Sequence, residues 1–137
     1  MMKMKNGAII AGKSISNVNL NITKEELIFL IGKEYEESKR NEKDITIAIE
    51  NAEFWITSDN KLHQITVWGD FEGKYKEIIG IGSTLQDVKK YVGNYNEENF
   101  IYGVENDEGI CFELGDTEDD DDWDELVAQI AYISVYR

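Results

Sequence analysis

The chain has 137 residues, a size for one domain rather than two, and its 42% hydrophobic and 11% aromatic content suits a packed core rather than a disordered acidic tail. The formal net charge is −14, with 9 basic and 10 acidic side chains in residues 1–68 against 5 and 18 in residues 69–137. Such a field disfavours nucleic acid and anionic membrane as partners, and the single Cys111 excludes an internal disulfide.

The opening "MMKMKNGAIIAG" is basic, but its apolar run "AII" is far shorter than a signal-peptide core, and no stretch approaches the roughly 18 apolar residues of a membrane span. A soluble, cytoplasmic protein is expected. The first helix is predicted within "NVNLNITKEELIFLIG", Asn17 to Gly32. Thr23 suits the N-cap, Glu26 closes a capping box three residues later, and Gly32 suits the position after the helix, where φ is positive. Leu27, Leu30 and Ile31 fall on one helical face. Three strand-like runs follow: "ITIAI" (45–49), "EFWITS" (53–58) and "LHQITVW" (62–68), with links short enough for antiparallel hairpins.

A second copy begins 61 residues after the first, in "IIGIGSTLQDVKKYVG", Ile78 to Gly93. Thr84 replaces Thr23, Asp87 replaces Glu26, and Gly93 replaces Gly32. Its strands are "FIYGV" (100–104), "GICFEL" (109–114) and "IAYISVY" (130–136), and "ISVY" nearly copies the earlier "ITVW". The expectation is an α+β fold: two helix–β-meander half-repeats, about 15–69 and 76–137, forming one antiparallel sheet with helices on one face.

The copies differ most between their second and third strands. A link of about four residues in the first copy becomes residues 115–129 in the second, and that insertion holds most of the acidic run "ELGDTEDDDDWDE" (113–125), nine of whose thirteen residues are carboxylates. Loops of this length in compact domains are usually functional or disordered. A solvated loop that only aids solubility is the competing reading.

Alternation divides the strands into two faces. Ile45, Ile47, Ile49, Phe54, Ile56, Ile65, Val67, Ile110, Phe112, Leu114, Ile133 and Val135 form the inward set. Trp55, Thr57, Gln64, Thr66, Trp68, Cys111, Glu113, Tyr132, Ser134 and Tyr136 form the outward set. Outward aromatics fit an interface, or packing against the insertion or the N-terminal segment. His63, the only histidine, is placed inward by the same alternation, as a structural residue.

Signs of catalysis are missing. Cys111 has no cationic neighbour in sequence to activate it, and "GIGSTLQDV" lacks the third glycine and the lysine of a phosphate loop. The acidic run lacks the glycine and spaced glutamate of an EF-hand. Neither an enzyme, nor a cofactor, nor a metal site is expected.

Three segments resemble a known family: "GIGSTLQDVKKYVG" (80–93), "GICFEL" (109–114) followed by the acidic loop, and "WDELVAQIAYISVY" (123–136). Together they make the C-terminal half similar to bacterial toxin-immunity proteins of the contact-dependent growth-inhibition type. The resemblance implies a protein that binds and neutralises one cognate toxin domain, often a nuclease, by covering its basic active-site or substrate surface. The partner-binding residues expected on this reading are Trp55, Trp68, Glu113, Asp116, Glu118, Asp119, Asp120, Asp121, Asp122, Trp123 and Asp124. The repeated helix and sheet also resemble β-lactamase-inhibitor and BamE-like folds. The alternative is therefore a small regulatory binding module with a non-toxin protein partner.

Overall fold

The computed structural model describes residues 2–115 and 124–137. Three two-residue strands open the chain as a small sheet: β1 (Ile9–Ile10), β2 (Ser14–Ile15) and β3 (Val18–Asn19). Helix α1 (Lys24–Ile31) leads into β4 (Glu36–Lys39), β5 (Ile45–Ile49), β6 (Ala52–Ile56) and β7 (Leu62–Trp68). Helix α2 (Leu85–Tyr91) leads into β8 (Tyr95–Glu98), β9 (Ile101–Val104), β10 (Asp107–Leu114) and β11 (Ile130–Tyr136). These eight strands form one antiparallel sheet in the order β4-β5-β6-β7-β11-β10-β9-β8. The fold is α+β. Among the described residues, no helix is long and apolar enough to cross a membrane.

Both helices start where capping chemistry places them. The Thr23 side chain accepts the Glu26 N–H at 3.2 Å, and Glu26 Oε1 accepts the Thr23 N–H at 3.3 Å. Thr84 and Asp87 make the same reciprocal pair at 3.2 and 3.0 Å. Each helix is too short to be stable alone, so its buried face must hold it. Leu27 and Ile31 from α1, with Leu85 and Val88 from α2, join one core with Ile47, Phe54, Ile65, Phe112 and Ile133 from the sheet. The inward set is buried as expected, with Ile45 and Leu114 only partly so.

Each helix is held against the sheet in the same way. The N–H of Asn21 donates to Leu62 O at 2.8 Å and the N–H of Leu62 donates to Ile22 O at 2.8 Å. Ahead of α2, the N–H of Gly82 donates to Ile130 O at 2.9 Å and the N–H of Ile130 donates to Ser83 O at 2.7 Å. Asn21 (φ 76°) and Gly82 (φ 92°) both turn through the left-handed region that asparagine and glycine tolerate. The small N-terminal sheet docks through a close backbone approach. Gly12 donates to Gly109 O at 2.9 Å, and a Cβ on Gly109 would stand 2.5 Å from Gly12 Cα.

Three sequence expectations need correction. Each helix is followed by four strands rather than three, because the polar segments "EESK" and "YNEE" pair as β4 and β8 at the two sheet edges. Phe100 does not begin a strand; it stands in the β8–β9 turn with φ 63°. His63 does not face the core. The β6–β7 register shifts between Trp55/Gln64 and Ile56/Leu62, and this bulge leaves His63 against the outward Trp55, ring centroids 4.7 Å apart.

The capping pairs give a direct test. Thr23→Ala and Thr84→Ala should each lower stability by about 1 kcal/mol, and the double variant by about the sum, since the caps share no partner. Urea-denaturation midpoints of the four proteins check this. A double variant no worse than either single one would show that the helix starts are coupled or carry no stability.

Candidate functional site

The candidate site is the sheet face opposite the helices. Pairing sets its outward residues in rows across the strands, about 7 Å apart along each strand. One row reads Trp55, Gln64, Tyr136; the next reads Glu53, Thr66, Ser134, Cys111, Gly103, Asn96; a third reads Trp68, Tyr132, Glu113. Large aromatics thus flank a central strip of small side chains, where Thr66 and Ser134 hydroxyls meet at 2.7 Å.

Trp55 is braced rather than free. The β4–β5 link "RNEKD" folds around Asn41, whose Oδ1 accepts the N–H groups of Lys43 and Asp44, both at 2.9 Å. That turn presents Asp44, and the Trp55 indole N–H donates to Asp44 Oδ2 at 3.0 Å. The Arg40 guanidinium lies 4.0 Å from the Trp55 ring centroid and pairs with Glu53 at 3.7 Å. With His63 on another edge, Trp55 presents an Arg-covered face, which aromatic–cation attraction stabilises.

The third row is more open. Trp68 is half-buried against Tyr132 with centroids 6.0 Å apart, and Tyr132 is 43% exposed. Glu113 is exposed beside Tyr132, two residues before the chain leaves the sheet for the acidic run. Trp55, Trp68 and Glu113 therefore share one face, as expected. Asp124 stands elsewhere. It is exposed, its Oδ1 accepts the Leu126 N–H at 2.9 Å, and its charge with that of Glu125 falls on Tyr95, which packs against the core. The returning limb of the insertion thus runs on the helix side of the sheet, where the N–H of Gln86 donates to Leu126 O at 3.3 Å. Asp116, Glu118, Asp119, Asp120, Asp121, Asp122 and Trp123 lie outside the described residues.

Sequence reasoning placed Tyr132 on this face by alternation but did not count it among the partner-binding residues, and it missed Arg40, Asp44 and His63 as members of the surface. Those three depend on a turn and a bulge that alternation does not report. Among the described residues, no three His, Cys, Asp or Glu side chains converge to hold a metal ion.

Two groups report the electrostatics. Burial, with the Glu113 charge beside it, pushes the Cys111 thiol up to about 11 against a weaker hydrogen bond from Ser134. On the helix side, burial and then Glu125 push the Tyr102 phenol up to about 12. Tyr75, buried and donating to Asp107, is raised as well.

A thiol held this high stays protonated at neutral pH. Iodoacetamide at pH 8 should label Cys111 roughly a hundredfold more slowly in the folded protein than in urea, where an ordinary thiol is partly ionised. Equal rates in both states would refute the half-buried, acid-flanked placement.

The tyrosines set an alkaline limit. Their folded pKa values exceed the unfolded one, so the native state keeps protons that the unfolded chain sheds, and stability falls as pH rises. For Tyr102 the loss begins near the ordinary value of 10.0 and is complete above about 12. Melting temperature should fall across that window, and Tyr102→Phe should flatten the slope; an unchanged slope would place Tyr102 outside the linkage.

No family model matches the chain, and no curated protein matches it. Among solved structures, the chain is similar to the crystal structure of the uncharacterized protein yfeY from Escherichia coli, with 14% identity, a TM-score of 0.55, and coverage of 98% of this chain and 100% of that one. Identity at that level shows a shared fold and nothing about activity.

Proposed function

We propose that this chain is a non-enzymatic binding protein of the toxin-immunity kind, acting in the cytoplasm on a cognate toxin domain with a basic, nuclease-like surface. The observation that carries the reading is the juxtaposition of Trp68, Tyr132 and Glu113 on the open sheet face at the root of the acidic run. Aromatics of this kind supply short-range contact area at low entropy cost. The acidic run supplies a field that acts over about a Debye length, ~8 Å in physiological salt. A basic cleft built for phosphates offers the complementary charge, and complementary fields raise association rates.

We also read the two halves as copies of one helix-plus-meander unit. Support comes from Thr23 and Thr84, Asn21 and Gly82, and their matching hydrogen bonds to the starts of β7 and β11. On this reading the acidic insertion is what the second copy gained. The first copy keeps the short link 57–61 between β6 and β7 where the second has 115–129 between β10 and β11.

Co-purification with the C-terminal domain encoded by the adjacent upstream reading frame tests the partner. Binding kinetics at two salt concentrations test the mechanism. Replacing Asp119, Asp120, Asp121 and Asp122 together by Asn should leave folding intact, slow association roughly tenfold at low salt and flatten its salt dependence. Trp68→Ala should instead speed dissociation, at a cost of about 2 kcal/mol if the ring is a buried anchor. A four-Asn variant that binds and protects like the parent at both salt concentrations would reduce the run to a solubility device.

A further inference from the structure

Between β7 and α2 the chain makes a turn whose sequence suits its backbone poorly. Tyr75 O accepts the Ile78 N–H at 3.1 Å, and the two residues between them, Lys76 (φ 51°) and Glu77 (φ 67°), both lie in the left-handed region. This is the type I′ geometry, for which Asn-Gly is favoured because long L-side chains crowd the backbone there. Backbone bonds hold the turn in place. Tyr75 and Ile79 exchange N–H donors at 2.7 and 3.0 Å, and the Ile9 N–H donates to Lys74 O at 2.9 Å. Strain maintained in this way clusters at ligand-binding sites.

Two hollows meet at this turn. One, of about 400 Å³, is lined by Ala8, Ile9, Ile10, Ala11 and Tyr75, and Ile10 is 46% exposed there. Its charged groups are Lys74, Lys76, Glu77 and Asp107. The other, of about 350 Å³, shares Lys76 and Asp107 and adds Glu105 with the amides of Asn94 and Asn106. Tyr75 organises the junction: its phenol donates to Asp107 Oδ2, and the Lys76 ammonium lies 5.5 Å from its ring centroid. Among the described residues, neither Lys74 nor Lys76 forms an ion pair.

We propose that the two hollows form one site for a small zwitterion with an apolar side chain, an α-amino acid such as leucine or phenylalanine. Each hollow reaches the size of a small-molecule site, roughly 300 Å³ or more. The first has two cations and two anions around an aliphatic lining, so a simple anion or cation gains little net field there. A zwitterion satisfies both signs. Its side chain fills the aliphatic hollow, its carboxylate meets Lys76, and its ammonium meets Asp107 where Glu105 and the amide oxygens surround the second hollow. None of these residues belongs to the outward rows of the sheet, so the site goes beyond the partner-binding reading and stands independently of it.

Titration of the purified chain with L-leucine and with L-phenylalanine, followed by amide NMR, tests the site. A range up to about 10 mM covers the affinity of so small a ligand. Saturable shifts are expected at Ile10, Lys76, Asn106 and Asp107. The leucine analogues 4-methylpentanoate, which lacks the ammonium, and 3-methylbutylamine, which lacks the carboxylate, should each bind at least tenfold more weakly. Lys76→Asn suits the turn better than lysine, so its urea midpoint should equal or exceed the parent's while leucine affinity falls at least tenfold. Glu77→Gly relieves the same turn but keeps Lys76, and should retain binding. No saturable shift with either amino acid overturns the site. Equal binding of leucine and either analogue overturns the zwitterion, and a Lys76→Asn protein that binds leucine like the parent overturns the role of Lys76.

Discussion

The pairing of β7 with β11 is the contact on which the rest of this fold depends. It joins residues far apart in sequence, Ile65 to Val135 and Val67 to Ile133 inward, Thr66 to Ser134 outward. Without it, each half is a four-stranded sheet covered by one helix of about two turns, too little to bury the apolar face that either half presents. The register is also strongly specified. A slip of one residue would turn Ile65, Val67, Ile133 and Val135 to solvent and bring Thr66 and Ser134 into the core. The outward hydroxyl pair at 2.7 Å satisfies polar groups in the middle of the sheet, where Ser134 is almost fully buried.

That central pairing also determines what the open face can offer. Because β7 and β11 are neighbours, Trp68 and Tyr132 come from different halves and meet only in the folded chain. The acidic run leaves from β10, the next strand along, so its root at Glu113 lies within reach of the same aromatics. Neither half alone would place like charge beside a ring pair. Trp55 is separated from this group by the strip of small side chains and is held by Arg40, Asp44 and His63. The face therefore has two aromatic centres of different character: one braced and partly cationic, the other more open and acidic.

Much of this was legible in the sequence, and the failures share a physical cause. The helices could be read because capping boxes are local, three residues from donor to acceptor. The inward strands could be read because burial imposes alternation on Ile, Val and Phe. Strands β4 and β8 could not, since an exposed edge strand is held by backbone hydrogen bonds and needs no apolar pattern; "EESK" is exposed at every position. His63 was misplaced because one bulge shifts the phase of alternation without leaving a mark in composition. For the candidate surface, Trp55 and Trp68 followed from phase. Arg40 and Asp44 did not, because they reach the face through an Asx turn rather than through a strand.

The charge distribution carries a cost that the fold has to absorb. Carboxylates crowded into the second half repel one another, and this destabilises the compact state while favouring encounter with a basic partner. The core offsets that repulsion by keeping acids out of the inward face: Ile110, Phe112, Ile133 and Val135 are buried with no carboxylate among them, and Glu113 points away. On the helix side, Glu125 is tolerated beside Tyr102 because a phenol is neutral and can donate to it. Repulsion is thus confined to positions where water or a partner can screen it. On the binding reading proposed above, a basic surface would relieve repulsion that water screens only in part, and association would then depend steeply on salt.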